Sequence, residues 1–550
     1  MKPRLKTYII GKPTQIPADA VDVSFDELIT EINELGQTVG ELNIVGAEAE
    51  PSAQVIRQSS SKKSKQETLV VKMSDEIKDQ LVKRHEQVLI IEPDEPLFPL
   101  KLEQIDNSEI PLIQNIVPTA DTENLIVKII VQGPNGEPVT KAHVTVSGSL
   151  WVDSGLTDSK GKIKLTLLGE TEESISSIEI KPAHTYWSFR VDRPAISAGE
   201  DNKVTLKRIF SNTSDDDAPS GEQFVGWGQK AMRLIGQSNQ SKPVKVAVID
   251  SGVSASHPDL LPNGGFDFAE DSPNGTETWN KDGSGHGTHV SGVCTAQDNQ
   301  FGILGFAPKA VLVVLRVFPN ASNSKLIQAL DWCVDNDVDV INMSLGGKSG
   351  SQLVRQHIQA CRENGILPVA AAGNNGKDVL FPAAFSEVLS VAAIGQLGTF
   401  PDDSLHYAHI GKNPVLSGDY FSPKFTCRGP EVDVCAPGVA ITSTVPGNSY
   451  AAWDGTSMAC PHVAGYAARL LQTRGDLYDM PRSAERSQGL FEAIIKSCVF
   501  LDGIPEINQG KGMPQFGLKQ FPRPADDSLD KVAELIDKAI EIVESKLVDH

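Results

Sequence analysis

A serine flanked by small residues is the strongest candidate for a nucleophile in this sequence. Ser457 lies in residues 455–465, which read GTSMACPHVAG, and we expect this segment to begin a helix. Backbone N–H groups in a first helical turn have no partner within the helix, so they can donate to a negatively charged oxygen. A serine hydroxyl is a weak nucleophile by itself and needs a base, which in turn needs a group that orients it.

Two upstream segments offer that base and that orienting group. The β-branched run 244–249 predicts a buried strand that ends at Asp250. Open α/β sheets build their sites at such carboxyl ends, although a strand-terminal aspartate is also common as a turn or cap residue. His286 lies in the glycine-rich segment 283–292, GSGHGTHVSG, whose glycines permit a tight bend and leave the imidazole accessible.

A side-chain amide completes the set. Asn374 follows the apolar run 369–372, which predicts a strand that enters a turn. An amide at that point can donate to a developing oxyanion. Taken alone, the Asn-Asn-Gly sequence would predict only a turn.

In the order Asp250, His286, Asn374, Ser457, these segments resemble the subtilisin-like serine proteases, whose catalytic residues follow the chain order Asp, His, Ser. The resemblance covers about residues 222–500 and implies a serine endopeptidase. Ser457 would attack the scissile carbonyl, His286 would take and return its proton, and Asp250 would orient His286. Asn374 and the N–H of Ser457 would hold the oxyanion. Two alternatives remain: an inactive binding protein on a protease fold, and a selective processing protease for one protein partner.

The same resemblance implies where a protein or peptide substrate binds. One wall of the first specificity pocket is expected to pair with the substrate backbone as an added strand. The expected walls are Ser344, Leu345 and Gly346 on one side and Ala371, Ala372 and Gly373 on the other. Leu380 matches a position at the pocket floor, and a bulky floor predicts small or medium side chains at the P1 position of the substrate.

Two loops resemble the high-affinity calcium site of the family. The resemblance implies side-chain ligands from Asp259 and Asn299, and main-chain carbonyl ligands from Gln297, Phe301 and Ile303. One carboxylate, one amide oxygen and several carbonyls suit a hard cation such as Ca²⁺. An ordinary hydrogen-bonded loop is the alternative interpretation.

The expected fold class is α/β. In residues 222–505 strands alternate with helical segments, which predicts a parallel sheet with helices on both faces, the subtilisin-like catalytic domain. Residues 1–97 predict a ferredoxin-like β-α-β-β-α-β unit, with a strand at 39–45 and a loop at 48–66. Its position and its ending, IIEPD at 90–94, resemble the inhibitory propeptide of subtilisin-like enzymes. The chain's own N-terminal unit is therefore an expected partner, and a plain docking domain is the alternative.

Period-two alternation in residues 120–210 predicts a small β-sandwich, and its turn segments resemble carboxypeptidase-regulatory-like repeats. Linkers are expected at 98–119 and 211–221. Either could hold an activation cleavage site, and the region 98–116, which directly follows the propeptide-like strand, is favoured because a tail there would emerge beside the site. Residues 525–550 predict an amphipathic helix. Residues 398–424 form a polar insertion that includes Asp402, Asp403, His406 and His409, for which substrate contact and a plain surface loop are equally compatible interpretations.

Composition limits the partners. The net charge of −21 over 550 residues argues against nucleic acid and anionic membranes as main partners. The sequence contains no run of about 18 apolar residues, so no transmembrane span is expected. No secretion signal is evident. Seven cysteines, an odd number without metal-ligand spacing, fit a reducing compartment, so a cytoplasmic location is expected. Cys294 and Cys460 lie near the candidate base and nucleophile in sequence. They are expected to be buried packing residues, and sensitivity to thiol reagents is the alternative interpretation. The oligomeric state stays open.

Overall fold

The computed structural model describes residues 5–17, 20, 22–41, 53–100, 124–210, 223–234, 242–269 and 278–516. Its first unit packs two helices on a four-stranded antiparallel sheet. The elements are β1 (Lys6–Gly11), α1 (Phe25–Glu41), β2 (Ala53–Ser60), β3 (Glu67–Met73), α2 (Asp75–Arg84) and β4 (Ile90–Pro93). The strand order β2-β3-β1-β4, with this connectivity, is ferredoxin-like.

The second strand of this unit differs from the prediction. Residues 39–41 end helix α1 rather than begin a strand, and residues 42–45 lie outside the described part of the chain. The expected loop at 48–66 was also wrong, because residues 53–60 form β2 and pair antiparallel with β3. The Ser/Lys-rich composition hid the strand, since its polar side chains contact another unit: Arg57 Nη1 donates to Gln328 Oε1 at 2.6 Å.

The second unit, residues 124–210, is a β-sandwich. Its strands are β6 (Asn124–Gln132), β7 (His143–Ser147), β8 (Val152–Leu156), β9 (Lys162–Leu168), β10 (Ser177–Lys181), β11 (Phe189–Asp192) and β12 (Asp201–Thr205). A short strand, β5 (Phe98–Pro99), precedes them in the chain. The sheets β11-β10-β7-β8 and β12-β6-β9 enclose one apolar core that includes Val127, Val144, Leu165 and Ile178.

The third unit is the largest. Its helices are α3 (Trp227–Ala231), α4 (His286–Thr295), α5 (Asn323–Asp335), α6 (Gln352–Glu363), α7 (Thr456–Thr473), α8 (Gly475–Tyr478), α9 (Ala484–Lys496) and α10 (Glu506–Gln509). Its strands are β13 (Lys245–Asp250), β14 (Pro262–Asp267), β15 (Val311–Arg316), β16 (Val340–Met343), β17 (Leu345–Gly346), β18 (Leu367–Ala371), β19 (Leu389–Gln396), β20 (Val415–Ser417), β21 (Tyr420–Ser422), β22 (Val434–Pro437), β23 (Ile441–Val445), β24 (Ser449–Trp453), β25 (Cys498–Val499) and β26 (Met513–Pro514).

The main sheet of this unit runs β14-β15-β13-β16-β18-β19, with β22 also beside β19, and all these pairs are parallel. Antiparallel β21 and β20 extend one edge. Along β13, Val248 packs in a core with Val290 of α4 and Met458 of α7. Ile249 belongs to a second core with Leu326 of α5. Because successive strand side chains point to opposite faces, helices cover both faces of the sheet, and the predicted α/β class is confirmed.

Several predicted features lie outside the described residues: most of the linker 98–119, the linker 211–221 and the helix 525–550. Within the described ranges, no helix combines the length and apolar character needed to cross a bilayer. None of the seven cysteines forms a disulfide bond, and six of them are buried. Burial raises the pKa of Cys294 to about 12 and also raises that of Cys460, so both stay as thiols at neutral pH.

Candidate active site

Asp250 and His286 form a buried pair at the carboxyl end of the parallel sheet. Asp250 is the last residue of β13, and His286 is the first residue of α4. The Nδ1 atom of His286 lies 2.7 Å from Oδ1 of Asp250, and their side chains are 1% and 0% exposed. A side chain at Gly287 would place its Cβ only 2.1 Å from the carbonyl oxygen of Gly252. Glycine at that position therefore allows the helix to approach the strand end closely.

A second aspartate anchors the beginning of α4. Asp282 Oδ2 accepts hydrogen bonds from the N–H and hydroxyl of Thr288, while its Oδ1 accepts from Ser251 Oγ. Burial, followed by the nearby Asp250 carboxylate, raises the pKa of Asp282. Asp282 was not among the predicted site residues. Its signal was an Asp-Gly turn just ahead of the histidine segment, with a threonine six residues on.

Asn374 lies in the turn after β18 and is held by the start of α7. Its Oδ1 atom accepts hydrogen bonds from both the N–H and the hydroxyl of Thr456, each at 2.8 Å. These bonds leave the amide nitrogen to donate, and it donates to the carbonyl oxygen of Leu100. Thr456, which directly precedes Ser457, therefore orients the amide, a role that the sequence analysis did not assign.

Ser457 lies in the first turn of α7, so the helix start predicted for residues 455–465 is confirmed. Its hydroxyl is buried and donates to the carbonyl oxygen of Ser344 at 3.1 Å. The Nε2 atom of His286 is buried and has no hydrogen-bond partner in the described residues. The serine and histidine are thus not hydrogen-bonded to each other here, and such bonds often form only in a substrate complex.

The segment after the N-terminal unit lies across this site. Its strand β5 pairs antiparallel with β17, with Pro99 opposite Leu345 and Phe98 opposite Gly346. The N–H of Leu100 donates to the carbonyl oxygen of Ser344 at 3.1 Å. The predicted wall at 344–346 therefore accepts an added strand, and that strand comes from this chain.

Gly346 and Gly373 both lie close to Leu380, and Gly346 also lies close to the Leu100 side chain. A methyl group at Gly346 would lie 3.2 Å from Leu100 Cδ1 and 3.3 Å from Leu380 Cβ, whereas one at Gly373 would lie 2.9 Å from Leu380 Cγ. Ala371 and Ala372 are buried beside Gly373, and Ala372 accepts a hydrogen bond from the N–H of Leu380. The two predicted walls thus converge on Leu380.

The predicted calcium ligands cluster around one side chain that the sequence analysis missed. Gln223 Nε2 lies 2.8 Å from the carbonyl oxygen of Ile303 and 3.5 Å from Asn299 Oδ1, and it also contacts the carbonyl oxygen of Gln297. Asp259 contacts this cluster through its Oδ1 atom, which accepts a hydrogen bond from Asn299 Nδ2 at 3.3 Å. Phe301 is linked through its N–H, which donates to Asn299 Oδ1.

The chemistry of this set fits a hard cation. Its donors are mainly amide and main-chain carbonyl oxygens, with one carboxylate whose pKa is raised by burial. The described residues contain no group of three or more His, Cys, Asp or Glu side chains placed to hold a metal. A transition-metal site built from such side chains is therefore not indicated among them.

The polar insertion folds back on the catalytic unit. His406 Nδ1 lies 2.7 Å and His409 Nε2 lies 3.1 Å from the carboxylate of Asp454, three residues before Ser457. Asp403 pairs with Lys207 of the sandwich at 2.9 Å. Both histidines therefore contact side chains of the protein itself. The interpretation of the insertion as a plain surface loop was wrong for these two residues.

Comparison with known proteins agrees with this architecture. The subtilase family model matches residues 241–495. Subtilisin from Bacillus pumilus is 39% identical over 250 residues, which cover 44% of this chain and 82% of the relative. Subtilisin E from Bacillus subtilis (strain 168) is 40% identical over 250 residues, covering 44% of this chain and 59% of the relative.

A longer match includes an alkaline protease from Alkalihalobacillus alcalophilus, which is 33% identical over 317 residues, or 56% of this chain and 75% of the relative. These three relatives align with this chain over 59% to 82% of their own length. The chain belongs to the subtilase family of subtilisin-like serine endopeptidases.

Proposed function

We propose that this protein is a serine endopeptidase made as a zymogen, and that its first substrate is its own Leu100–Lys101 bond. Asp250, His286 and Ser457 act as the catalytic triad, and Asn374 with the N–H of Ser457 stabilises the oxyanion. The substrate is a protein or peptide bound in an extended conformation. Water finally hydrolyses the acyl-enzyme formed at Ser457.

The carbonyl of Leu100 carries this proposal. It accepts a hydrogen bond from Asn374, while the N–H of the same residue donates to Ser344. A peptide held at both its N–H and its carbonyl oxygen, beside a serine hydroxyl, has the geometry of a scissile residue. Leu100 then occupies P1, and residues 1–100 would be the propeptide released by cleavage.

Two carboxylates of the N-terminal unit support its role as an inhibitor. Asp94 accepts from the N–H and hydroxyl of Ser324 in the first turn of α5, at 2.9 and 2.7 Å. Glu92 accepts from Ser351 Oγ at 2.6 Å and from the N–H of Gln352, where α6 begins, at 2.7 Å. Each carboxylate satisfies unpaired donors at a positive helix end.

Removing these charges should weaken inhibition by the cleaved N-terminal unit. A charge-assisted hydrogen bond contributes about 1.5–3 kcal/mol, so we expect Glu92→Gln with Asp94→Asn to raise the inhibition constant at least about tenfold. The measurement is peptidase activity after processing, titrated with the separated N-terminal fragment. Asp79→Asn, an exposed carboxylate paired only locally with Lys78, is the matched control. Equal inhibition by both fragments would contradict the assigned docking.

A fluorophosphonate probe tests the proposed function directly. We expect it to label Ser457 only after residues 1–100 are released, because Leu100 blocks the site before then. Released enzyme should also gain the ability to cleave a peptide with leucine at P1. Absence of labelling in the released, folded protein would favour an inactive binding protein instead.

Leu380 should limit the P1 side chain. A methyl group at Gly346 would lie 3.3 Å from Leu380 Cβ and 3.2 Å from Leu100 Cδ1, so Leu380 lies beside the position of the Leu100 side chain. We expect Leu380→Gly to improve kcat/KM for phenylalanine relative to leucine at P1 by about tenfold or more, the scale of a few methylene groups. A peptide library measures this ratio. Aromatic P1 residues that already dominate in the wild type would contradict the assignment.

We further propose that Asp259, Asn299 and the carbonyl oxygens of Gln297, Phe301 and Ile303 bind a structural Ca²⁺. Binding to the folded state alone raises its stability by about 2.7 kcal/mol at a hundredfold excess over Kd. We therefore expect Ca²⁺ to raise Tm by about 5 °C over a chelator-treated sample. Differential scanning calorimetry of wild type and Asp259→Asn checks this. A wild-type Tm that is unchanged by chelator would count against bound calcium.

A further inference from the structure

We propose that the β-sandwich is a positioning domain of the active site, acting through Trp187, His406 and Asp454 on the turn that presents Ser457. This inference rests on the proposed function and extends it. The sandwich follows Leu100 in the chain, so cleavage there would leave it attached to the catalytic unit. Its contacts with that unit would therefore persist in the mature enzyme.

Asp454 connects the two histidines to the turn that precedes Ser457. It follows β24 and precedes Gly455, which has φ +144° and ψ 159°. That backbone region is nearly confined to glycine, and such a conformation persists only when surrounding contacts fix it. Asp454 Oδ1 accepts the N–H of Ala440 at 2.7 Å, and the N–H of Gly455 donates to Gly438. The carboxylate thus fixes the turn that leads into Ser457.

Two histidines hold that carboxylate. His406 Nδ1 lies 2.7 Å from Asp454 Oδ1, and His409 Nε2 lies 3.1 Å from Oδ2. Burial opposes ionisation of Asp454, but the two histidines outweigh it and lower the pKa of this carboxyl. Loss of a histidine would leave a buried charge with fewer partners, which is costly and moves the turn.

The sandwich in turn holds the histidines. The Trp187 ring packs edge-on against the His406 ring, with centroids 5.6 Å apart. Leu405, beside His406, donates its N–H to Ser188 Oγ at 3.2 Å. Asp403 is held by its Lys207 salt bridge and through its carbonyl, which accepts the N–H of Arg190 at 2.7 Å.

A second contact reaches the strand that leads to Asp454. The N–H of Thr185 donates to the carbonyl oxygen of Tyr450 in β24 at 2.8 Å. Phe210 packs edge-on against the Tyr450 ring, with centroids 5.5 Å apart. The sandwich therefore contacts both the insertion that carries the histidines and the strand that ends at Asp454. A domain needed only as a tether would not require contacts at both places.

The test compares kcat and KM per active site for processed full-chain variants, with sites counted by fluorophosphonate labelling. We expect His406→Ala to lower kcat about 10- to 100-fold, the scale of a small misplacement of reacting groups, with KM nearly unchanged. His406→Asn should recover most of kcat, because its amide can donate from the position of Nδ1. Trp187→Ala should lower kcat as well, and should add little when combined with His406→Ala.

Trp151→Ala is the matched control, since Trp151 belongs to the sandwich but is 41% exposed; its kcat should equal that of wild type. The inference is overturned if His406→Ala retains wild-type kcat per labelled site, or if His406→Asn loses as much as His406→Ala. It is also overturned if Trp187→Ala only reduces the labelled fraction. Wild type that neither labels nor hydrolyses would overturn the proposed function too, whereas active wild type with equally active His406→Ala overturns this inference alone.

Discussion

Ser457→Ala is expected to lower kcat by about 10⁶ and to leave the Leu100–Lys101 bond intact. The magnitude is that known for subtilisin, carried over because this chain belongs to the same family. Without the hydroxyl no acyl-enzyme can form, so neither external peptides nor the protein's own chain can be cut by this route. The intact mass of the purified variant should be that of the full-length chain. Wild type should instead give two fragments, separated by cleavage after Leu100.

A second buried serine provides the control for Ser457. Ser291 lies on α4, and its hydroxyl has no hydrogen-bond partner among the residues described. Ser291→Ala removes an unsatisfied polar group, so stability and kcat should stay close to wild type. Self-cleavage or undiminished hydrolysis in Ser457→Ala would exclude the proposed nucleophile. A fragment junction elsewhere than Leu100 in wild type would instead correct only the processing site.

Asp250→Asn should lower kcat by about 10⁴ with little change in KM. The carboxylate lies 2.7 Å from His286 Nδ1, where it can fix the tautomer and stabilise the imidazolium that forms as the proton leaves Ser457. An amide of the same size preserves packing, but it lacks the charge and can hold the wrong tautomer. Steady-state kinetics on a peptide with leucine at P1 measures the loss.

The chain contains a matched aspartate–histidine pair away from the site. His357 Nδ1 lies 2.7 Å from Asp331 Oδ1, and this pair is buried between α6 and α5. Asp331→Asn should cost about 1–3 kcal/mol of stability, as expected for a disturbed buried polar pair, while kcat stays near wild type. Comparable kcat losses in both variants would mean that Asp250 acts only through stability, against the proposed triad.

Local sequence was sufficient to predict the segments that carry the candidate triad residues. Asp250 ends a β-branched run, His286 follows a glycine turn, and Ser457 lies in the first turn of a helix that follows Gly455. Each of these features depends on residues only a few positions away, through strand propensity, glycine conformations and helix ends. The parallel sheet was predictable for the same reason, because strand and helix patterns alternate along the chain.

Positions that depend on distant partners were less accessible. The strand 53–60 looked like a polar loop because its Arg57 and Ser59 contact α5 rather than solvent. Gln223 gave no signal, since the oxygens around it come from residues 297–303. Asp454 lies next to the nucleophile segment, yet its partners are about 45 residues away in the insertion.

By itself, the sequence determined which side chains could break a peptide bond and the kind of sheet that carries them, because short-range chemistry encodes both. Only the tertiary structure decided that Leu100 meets Asn374, 274 residues away, and that the sandwich contacts both the insertion and β24. Such contacts follow from shape and hydrogen-bond complementarity between surfaces that are far apart in sequence, and no local pattern in either segment records its partner.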